Sequence, residues 1–385
     1  MTEITWQENG KVQSARWQSV ANNPPPKRIM PINDTMKADV VYRLVCEGTA
    51  LLWRGDFQNA KLLNQAISRR IDNRTTKPKA QKNTDKAELT PKEQFHLFRK
   101  SQVERARTLG MLVVEMTHDY QMQYARVPNI HAACEHAYGV QESKDKIVVS
   151  LRELLGVIGA YEWHKKGVDI PELEASITPS YGVYSPVRGE YIALVNSAPL
   201  NNVSVAFDIG TGTGVLSALL AKRGVKKIIA TEQEPRALAC AHENIARLGY
   251  ANQVKIVKAD LYPSDVGLAD LIVCNPPWLP AKANSPIEHA IYDPESKMLK
   301  GYLAGLKTHL ALKGEGWLIL SDLAEHLGLR TREELLKWIA DAGFEVVERL
   351  DTKPLHGKVK DASDPLHAAR SKEVTSLYRL KFAKL

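Results

Sequence analysis

The second half of the chain alternates short apolar runs with amphipathic stretches, and this pattern constrains the fold more than any other feature. The first run, residues 203–207, is followed at once by a glycine-rich turn. Similar runs predict six further strands, at residues 227–231, 254–257, 270–274, 316–320, 344–348 and 376–382. Periodicity predicts helices among them, at residues 215–223, 235–248 and 332–342. Because strands that alternate with helices form βαβ units, the pattern predicts an α/β fold with a doubly wound, mostly parallel, Rossmann-like sheet of seven strands.

The first half of the chain lacks this alternation. Residues 1–34 contain a break of three prolines at 24–26 and no sustained periodicity, which predicts a partly ordered arm. In residues 35–170, apolar side chains recur largely at three- and four-residue steps, as in amphipathic helices. We therefore predict a mainly helical N-terminal domain at 35–170, with an accessory or substrate-recognition role, and an α/β domain at 171–385.

Charge is distributed unevenly between these two parts. The formal net charge is +8, and residues 1–170 hold 26 basic and 19 acidic side chains, whereas the remainder holds 26 and 25. Residues 69–107 alone hold 12 basic and 5 acidic side chains. A local excess of this kind is typical of a surface that binds nucleic acid. It is equally typical of a solvated basic linker, so the charge alone leaves both interpretations open.

Several classes of protein are disfavoured by composition. The four cysteines are scattered without a Cys-x-x-Cys pair, which predicts neither a zinc ribbon nor a disulfide framework, and we expect no metal site. The apolar runs are far shorter than the roughly 20 residues that cross a bilayer. The polar N-terminal residues predict no secretory signal, so we expect a cytoplasmic protein without a membrane partner.

The turn after the first predicted strand carries a candidate ligand site. It reads Asp208-Ile-Gly210-Thr211-Gly212-Thr-Gly214, which is neither the G-x-G-x-x-G of dinucleotide binders nor a P-loop. Small residues at this point let a ligand approach the backbone and the N-terminus of the next helix. Alone, the motif is also compatible with an ordinary structural turn.

Two acidic residues follow the next two predicted strands. Glu232 ends the second strand, where a carboxylate can accept hydrogen bonds from both hydroxyls of a ribose. Asp260 follows the third strand, where a carboxylate can reach the amine edge of an adenine. Because parallel strands end at the same edge of a sheet, these acids and the glycine turn are expected to face one crevice.

The fourth predicted strand ends in Asn275-Pro276-Pro277-Trp278. Two successive prolines remove two N–H donors and fix the direction of the backbone. The side-chain oxygen of Asn275 and the carbonyl of Pro276 can then accept the two hydrogens of a planar amino group. Trp278 offers a flat face on which a base or an amide can stack. The motif therefore predicts a site that holds an amino nitrogen for chemistry.

Together these motifs resemble those of class I S-adenosylmethionine-dependent methyltransferases. More narrowly, they resemble the Asn-Pro-Pro-aromatic branch, which methylates amino nitrogens of bases in DNA and rRNA and of glutamine in release factors. The resemblance covers about residues 178–385. It implies that S-adenosylmethionine is the cofactor, that the glycine loop passes its methionine part, that Glu232 holds its ribose and that Asp260 lies beside its adenine.

A segment upstream of the first strand extends this resemblance. Pro186-Val-Arg188-Gly-Glu190 is similar to the entry segment that covers the cofactor in release-factor glutamine methyltransferases, which implies cofactor contacts for Arg188 and Glu190. A simple turn before a helix is the alternative.

The resemblance leaves the acceptor open. The basic excess at 69–107 favours RNA, ribosomal RNA first, as substrate and partner. A protein glutamine is the alternative acceptor. A cofactor-binding scaffold without catalysis and a nicotinamide-dependent oxidoreductase are two further readings, which the Asn-Pro-Pro motif and the glycine spacing disfavour.

Overall fold

A computed structural model of the chain describes residues 2–76, 89–186, 189–354 and 359–384. The chain divides into two compact units, the first formed by Met1–Glu88 and His96–Glu162 and the second by Leu89–Phe95 and Trp163–Leu385. The division thus falls at 162/163 rather than at the predicted 170/171. In the described part of the chain, no helix combines the length and apolar character needed to cross a membrane.

The first unit is built around a sheet, which corrects two predictions. Its six strands are β1 (Glu3–Glu8), β2 (Lys11–Gln18), β3 (Ile29–Ile32), β4 (Ala50–Trp53), β5 (Leu112–Met116) and β6 (Ile147–Ser150). They pair in the order β1-β2-β6-β5-β4-β3. The expected partly ordered arm at 1–34 therefore supplies three strands, and the expected mainly helical domain is a mixed α/β unit.

The predicted helical periodicity is nevertheless present around that sheet. The helices are α1 (Ala38–Cys46), α2 (Phe57–Thr76), α3 (Pro91–Leu109), α4 (His131–Tyr138) and α5 (Leu151–Lys166). Pro91 is the first residue of α3, as predicted, because its missing N–H costs nothing in the first turn of a helix. Of the predicted basic linker near 69–107, residues 69–76 and 91–107 belong to α2 and α3, and residues 77–88 lie outside the described part of the chain.

The second unit contains the predicted seven-stranded sheet. Its strands are β9 (Val205–Ile209), β10 (Lys227–Glu232), β11 (Val254–Lys258), β12 (Ala269–Cys274), β13 (Leu310–Ser321), β14 (Phe344–Thr352) and β15 (Thr375–Phe382), and a separate hairpin, β7 (Val168–Ile170) and β8 (Ala175–Ile177), precedes them. The order is β11-β10-β9-β12-β13-β15-β14. The last strand, β15, is antiparallel to both of its neighbours, and the other pairs are parallel. The predicted α/β, mostly parallel fold is confirmed for this unit.

Both faces of this sheet are buried under helices. The helices are α6 (Glu190–Ser197), α7 (Val215–Lys222), α8 (Pro235–Arg247), α9 (Lys297–His309), α10 (Leu323–His326), α11 (Arg332–Asp341) and α12 (His367–Arg370). In β12, Leu271 and Val273 belong to one apolar cluster and Ile272 and Cys274 to the other, as the two-residue period of a strand requires. The sheet is thus held rigidly, with its carboxyl edge available for a site.

Candidate active site

The predicted site residues meet at one edge of the second unit's sheet. β9, β10, β11 and β12 are adjacent and parallel, so the glycine turn and the residues that follow the other three strands lie at the same edge. The chain runs from β9 outward to β10 and β11, and then returns to the other side of β9 with β12. Open α/β sheets bind ligands at such a switch point, which here lies between the glycine turn and Asn275.

The glycine turn adopts a backbone that other residues tolerate poorly. Gly210, Gly212 and Gly214 have φ values of 72°, 58° and 83°. The N–H groups of Gly210 and Thr211 both donate to the carbonyl of Thr231 on β10, each at 3.0 Å. A Cβ atom at Gly210 would lie 2.5 Å from Cε of Met298, whereas one at Gly212 would meet nothing within 4 Å. The turn is therefore tightly packed at Gly210 and open at Gly212, and a ligand can approach the backbone at Gly212.

Asp208 stabilises this turn from inside. It is 1% exposed, and its Oδ2 accepts hydrogen bonds from the hydroxyls of Thr211 and Ser217, both at 2.6 Å. Burial raises the pKa of Asp208 above its usual range, and the two hydroxyl bonds oppose that shift. In this structure the predicted cofactor residue thus connects β9, the turn and α7.

Glu232 joins two strand ends at the crevice. Its Oε2 accepts a hydrogen bond from the Gly212 N–H at 3.1 Å, and its Oε1 accepts from the N–H groups of Gln233 and Glu234 at 2.9 and 3.1 Å. Of the roughly four lone-pair sites of the carboxylate, one on Oε2 remains, so a hydroxyl donor can still bind. The carboxylate is accordingly fixed beside the glycine turn in an orientation that a ribose could use.

Asp260 stands next along the same edge. It is exposed and follows β11, and the residue after it, Leu261, has a φ of 67°. The carbonyl of Leu261 accepts a hydrogen bond from the Thr231 hydroxyl at 2.5 Å. This bond ties the turn that bears Asp260 to β10, beside Glu232.

The Asn-Pro-Pro-Trp segment has a contact that the sequence did not predict. The indole N–H of Trp278 donates to Oδ1 of Asn275 at 2.9 Å. Trp278 is partly buried and packs against the apolar clusters of both sheet faces. Trp278 therefore orients the Asn275 amide, whereas we expected it only to stack on an acceptor. One lone pair of the Asn275 oxygen remains for an acceptor's N–H.

The segment after Trp278 folds back on itself and is anchored by a residue that sequence reasoning missed. The N–H of Asp293 donates to the carbonyl of Leu279 at 2.8 Å. The buried carboxylate of Asp293 accepts from the N–H groups of Met298 and Leu299 at 2.9 and 3.1 Å, and burial raises its pKa. An Asp shortly before the amphipathic run of α9 was the signal that could have identified this helix cap.

The predicted entry segment is described in part. Arg188 lies outside the described residues. Glu190 is the first residue of α6, and its Oε1 is buried without a hydrogen-bond partner among the described residues. Its neighbour Tyr191 is fully buried, and this burial raises its pKa. A buried acceptor without a partner requires an explanation, and a donor on a ligand would provide one.

The comparisons with known proteins agree with this geometry. Residues 182–303 match the family described as the methyltransferase small domain, which confirms the resemblance to class I S-adenosylmethionine-dependent methyltransferases for that segment.

Two relatives illustrate the range of acceptors within that resemblance. A release factor glutamine methyltransferase of Cereibacter sphaeroides is 36% identical over 118 residues, which are 30% of this chain and 41% of that protein. A tRNA1(Val) (adenine(37)-N6)-methyltransferase of a Shewanella species is 27% identical over 180 residues, which are 45% of this chain and 72% of that protein. The chain thus spans about two fifths of the length of the release-factor enzyme.

A solved methyltransferase structure from Pyrococcus furiosus was also found. It is 19% identical, covers 59% of this chain and 98% of its own, and has a TM-score of 0.39.

Proposed function

We propose that this chain is an S-adenosylmethionine-dependent N-methyltransferase that modifies a planar amino nitrogen. The observation that carries the proposal is the placement of the glycine turn and Asn275 on either side of the switch point between β9 and β12. A cofactor at the first and an acceptor at the second would meet in one crevice. The methyltransferase family match of residues 182–303 supports this reading.

The residues at this edge fit the cofactor. Gly212 has open space on the side where other residues carry Cβ, and Glu232 presents a fixed carboxylate beside it. The buried Oε1 of Glu190, which has no partner among the described residues, would accept from the cofactor's N–H or O–H donors. Asp260 would reach the adenine. When bound, S-adenosylmethionine supplies an electrophilic methyl group on a sulfonium.

The chain's own contribution is to position the acceptor and stabilise developing charge. Asn275 Oδ1, held by Trp278, and the Pro276 carbonyl would accept the two hydrogens of the amino group. Holding the nitrogen in an attacking geometry removes much of the entropic part of the barrier. Carbonyl dipoles also stabilise the positive charge that grows on the nitrogen. The nitrogen releases a proton after transfer, so no dedicated base is required.

We favour RNA as the acceptor. The observation that favours it is the basic excess of residues 69–107, because phosphate contacts dominate protein affinity for nucleic acid. A base inside a helix would have to be flipped out to reach Asn275. We also propose that the enzyme acts in the cytoplasm, where tRNA and ribosomes function.

A protein glutamine is the second candidate acceptor. The release-factor relative acts on glutamine, and a carboxamide nitrogen presents the same planar pair of hydrogens to Asn275. The two acceptors therefore place equal demands on the Asn-Pro-Pro segment, and they differ in what the rest of the chain must bind.

Asn275→Ala tests the proposal. We expect a loss of methyl transfer by two or more orders of magnitude, because the variant lacks the side-chain acceptor, together with nearly unchanged affinity for S-adenosylmethionine in calorimetry. The matched control is Asn252→Ala, an exposed residue before β11 at the opposite edge of the sheet. A fully active Asn275→Ala enzyme would contradict the assignment. Absence of S-adenosylmethionine binding by the unaltered chain would contradict the function itself.

A further inference from the structure

The first unit contains a cavity that the proposed methyl transfer does not use. Its volume is about 410 Å³, at the lower end of the range for ligand pockets. Four lining residues come from α2, one is the last residue of α3, and one lies in the first turn of α5. They are Asn64, Gln65, Ser68, Arg69, Leu109 and Arg152.

Most of the side chains that line this cavity carry hydrogen-bond donors. Small-molecule pockets are lined mainly by apolar and aromatic side chains. Here Leu109 is the single apolar member, and the others offer guanidinium, amide and hydroxyl donors. Arg69 and Arg152 are both exposed. The side chain of Arg69 makes no hydrogen bond or ion pair with another residue that the structure describes.

Three acidic side chains that neighbour the lining residues, in sequence or through a shared arginine, are already engaged. Arg105 donates hydrogen bonds to both Ser68 and Asp72, so Asp72 is neutralised and Ser68 is held in place. Asp39 forms an ion pair with Arg70 at 2.8 Å. Glu153, next to Arg152 in sequence, accepts from the N–H of Val20 at 3.0 Å. The positive charge of Arg69 is therefore left for a partner from solution.

We propose that this cavity binds the phosphate backbone of an RNA. An arginine fork matches two oxygens of one phosphate, and amide and hydroxyl groups are further donors that commonly contact phosphates. In sequence, residues 69–107 carry 12 basic and 5 acidic side chains, an excess that suits a polyanionic ligand. The inference rests on the proposed function for its purpose, because the bound RNA would be the methyl acceptor.

The test is the salt dependence of RNA binding. Fluorescence anisotropy with a fluorescein-labelled RNA hairpin compares the full-length chain with the R69A/R152A variant. Each lost phosphate contact reduces the slope of log K against log salt by about 0.7 to 0.9. Two lost contacts should thus weaken binding roughly 20-fold or more at about 0.1 M salt. R69K/R152K retains both positive charges and should keep most of the salt-dependent slope. It should lose the part of the affinity that comes from bidentate guanidinium–phosphate hydrogen bonds.

The matched control is K11A/K144A, which removes two charges from exposed positions of the same unit away from the cavity lining. Equal binding by R69A/R152A and this control would overturn the proposal. Competition by polyglutamate as strong as that by unlabelled RNA would also overturn it, in favour of an acidic protein partner.

Binding of S-adenosylmethionine, measured by calorimetry, reports separately on the second unit. Its affinity should be unchanged in all three variants. Failure of the unaltered chain to bind it would refute the methyltransferase assignment and leave the RNA result standing.

Discussion

Trp278 is the residue that turns Asn275 from a flexible amide into a fixed acceptor. The indole N–H occupies one lone pair of Asn275 Oδ1 at 2.9 Å, and the indole itself is wedged against both apolar clusters. A side-chain amide without such a partner would sample several rotamers, and each would misplace the nitrogen it holds. The precision of the proposed acceptor site would therefore depend on Trp278, whose indole packs against both apolar clusters.

Trp278→Phe should separate orientation from packing. The substitution keeps a large aromatic ring but removes the N–H donor, so we expect a two- to ten-fold fall in the rate of methyl transfer, about the worth of one hydrogen bond. Affinity for S-adenosylmethionine should stay the same. Single-turnover transfer and calorimetry measure the two quantities. An unchanged rate would mean that the indole N–H has no part in positioning Asn275.

Asp208 makes stability depend on pH. Its folded-state pKa is raised by burial, so the carboxyl favours folding while protonated, and this contribution is lost as pH rises from about 3.9 through the folded pKa. Asp208→Asn carries no such charge but keeps an acceptor oxygen. We therefore expect the difference in unfolding free energy, variant minus unaltered chain, to be larger at neutral pH than at acidic pH. Urea unfolding at an acidic and at a neutral pH measures this difference, and a smaller difference at neutral pH would contradict the prediction.

Among the elements, strands that alternate with helices were predictable and isolated buried strands were not. The seven strands of the second unit's main sheet could be predicted because glycines and helical periods mark their limits, whereas the hairpin of β7 and β8 was not predicted. In the first unit, β4 is four buried residues, and a short apolar run cannot be told from a buried piece of helix by periodicity. β2 pairs with β6, a strand more than a hundred residues later, and local pattern holds no information on such a contact.

The same distinction applies to the site. Residues at the ends of marked strands, such as Glu232 and Asn275, could be predicted because parallel strands share an edge. The contact of Met298 with the glycine turn could not be predicted, since it depends on how α9 packs against that turn. Asp293 carried only the signal of an acidic residue before a helix. Contacts between loops are set by packing, which the sequence pattern does not encode.

The contact between the glycine turn and α9 gives a prediction for glycine substitutions. Gly210→Ala would place Cβ 2.5 Å from Met298 Cε and would also strain a φ of 72°, whereas Gly212→Ala strains only its φ. The strain at a left-handed position costs about 1–2 kcal/mol. We expect Gly210→Ala to be the more destabilising of the two in urea unfolding. Met298→Ala should relieve part of the added cost, and additive effects in that double variant would contradict the contact.

At the scale of the whole molecule, charge and chemistry reside in different units. The candidate active site lies entirely in the second unit, the cavity lined by Arg69 and Arg152 lies in the first unit, and most of the net charge belongs to residues 1–170. Under the proposal, the first unit therefore binds the RNA and is more than a structural addition. It also makes binding and catalysis separable by substitution, because each depends on its own residues.

The central claim is that Asn275 presents an RNA amino nitrogen for methylation, and the chemical identity of the methylated product tests it most directly. The full-length chain is incubated with methyl-labelled S-adenosylmethionine and with RNA and protein from cells that lack this chain. The RNA and the protein are then separated, digested and analysed by mass spectrometry. We predict label on the exocyclic amino group of a nucleoside, absent with Asn275→Ala and retained with Asn252→Ala. Label on a glutamine side chain, or on any group other than an amino nitrogen, would contradict the account.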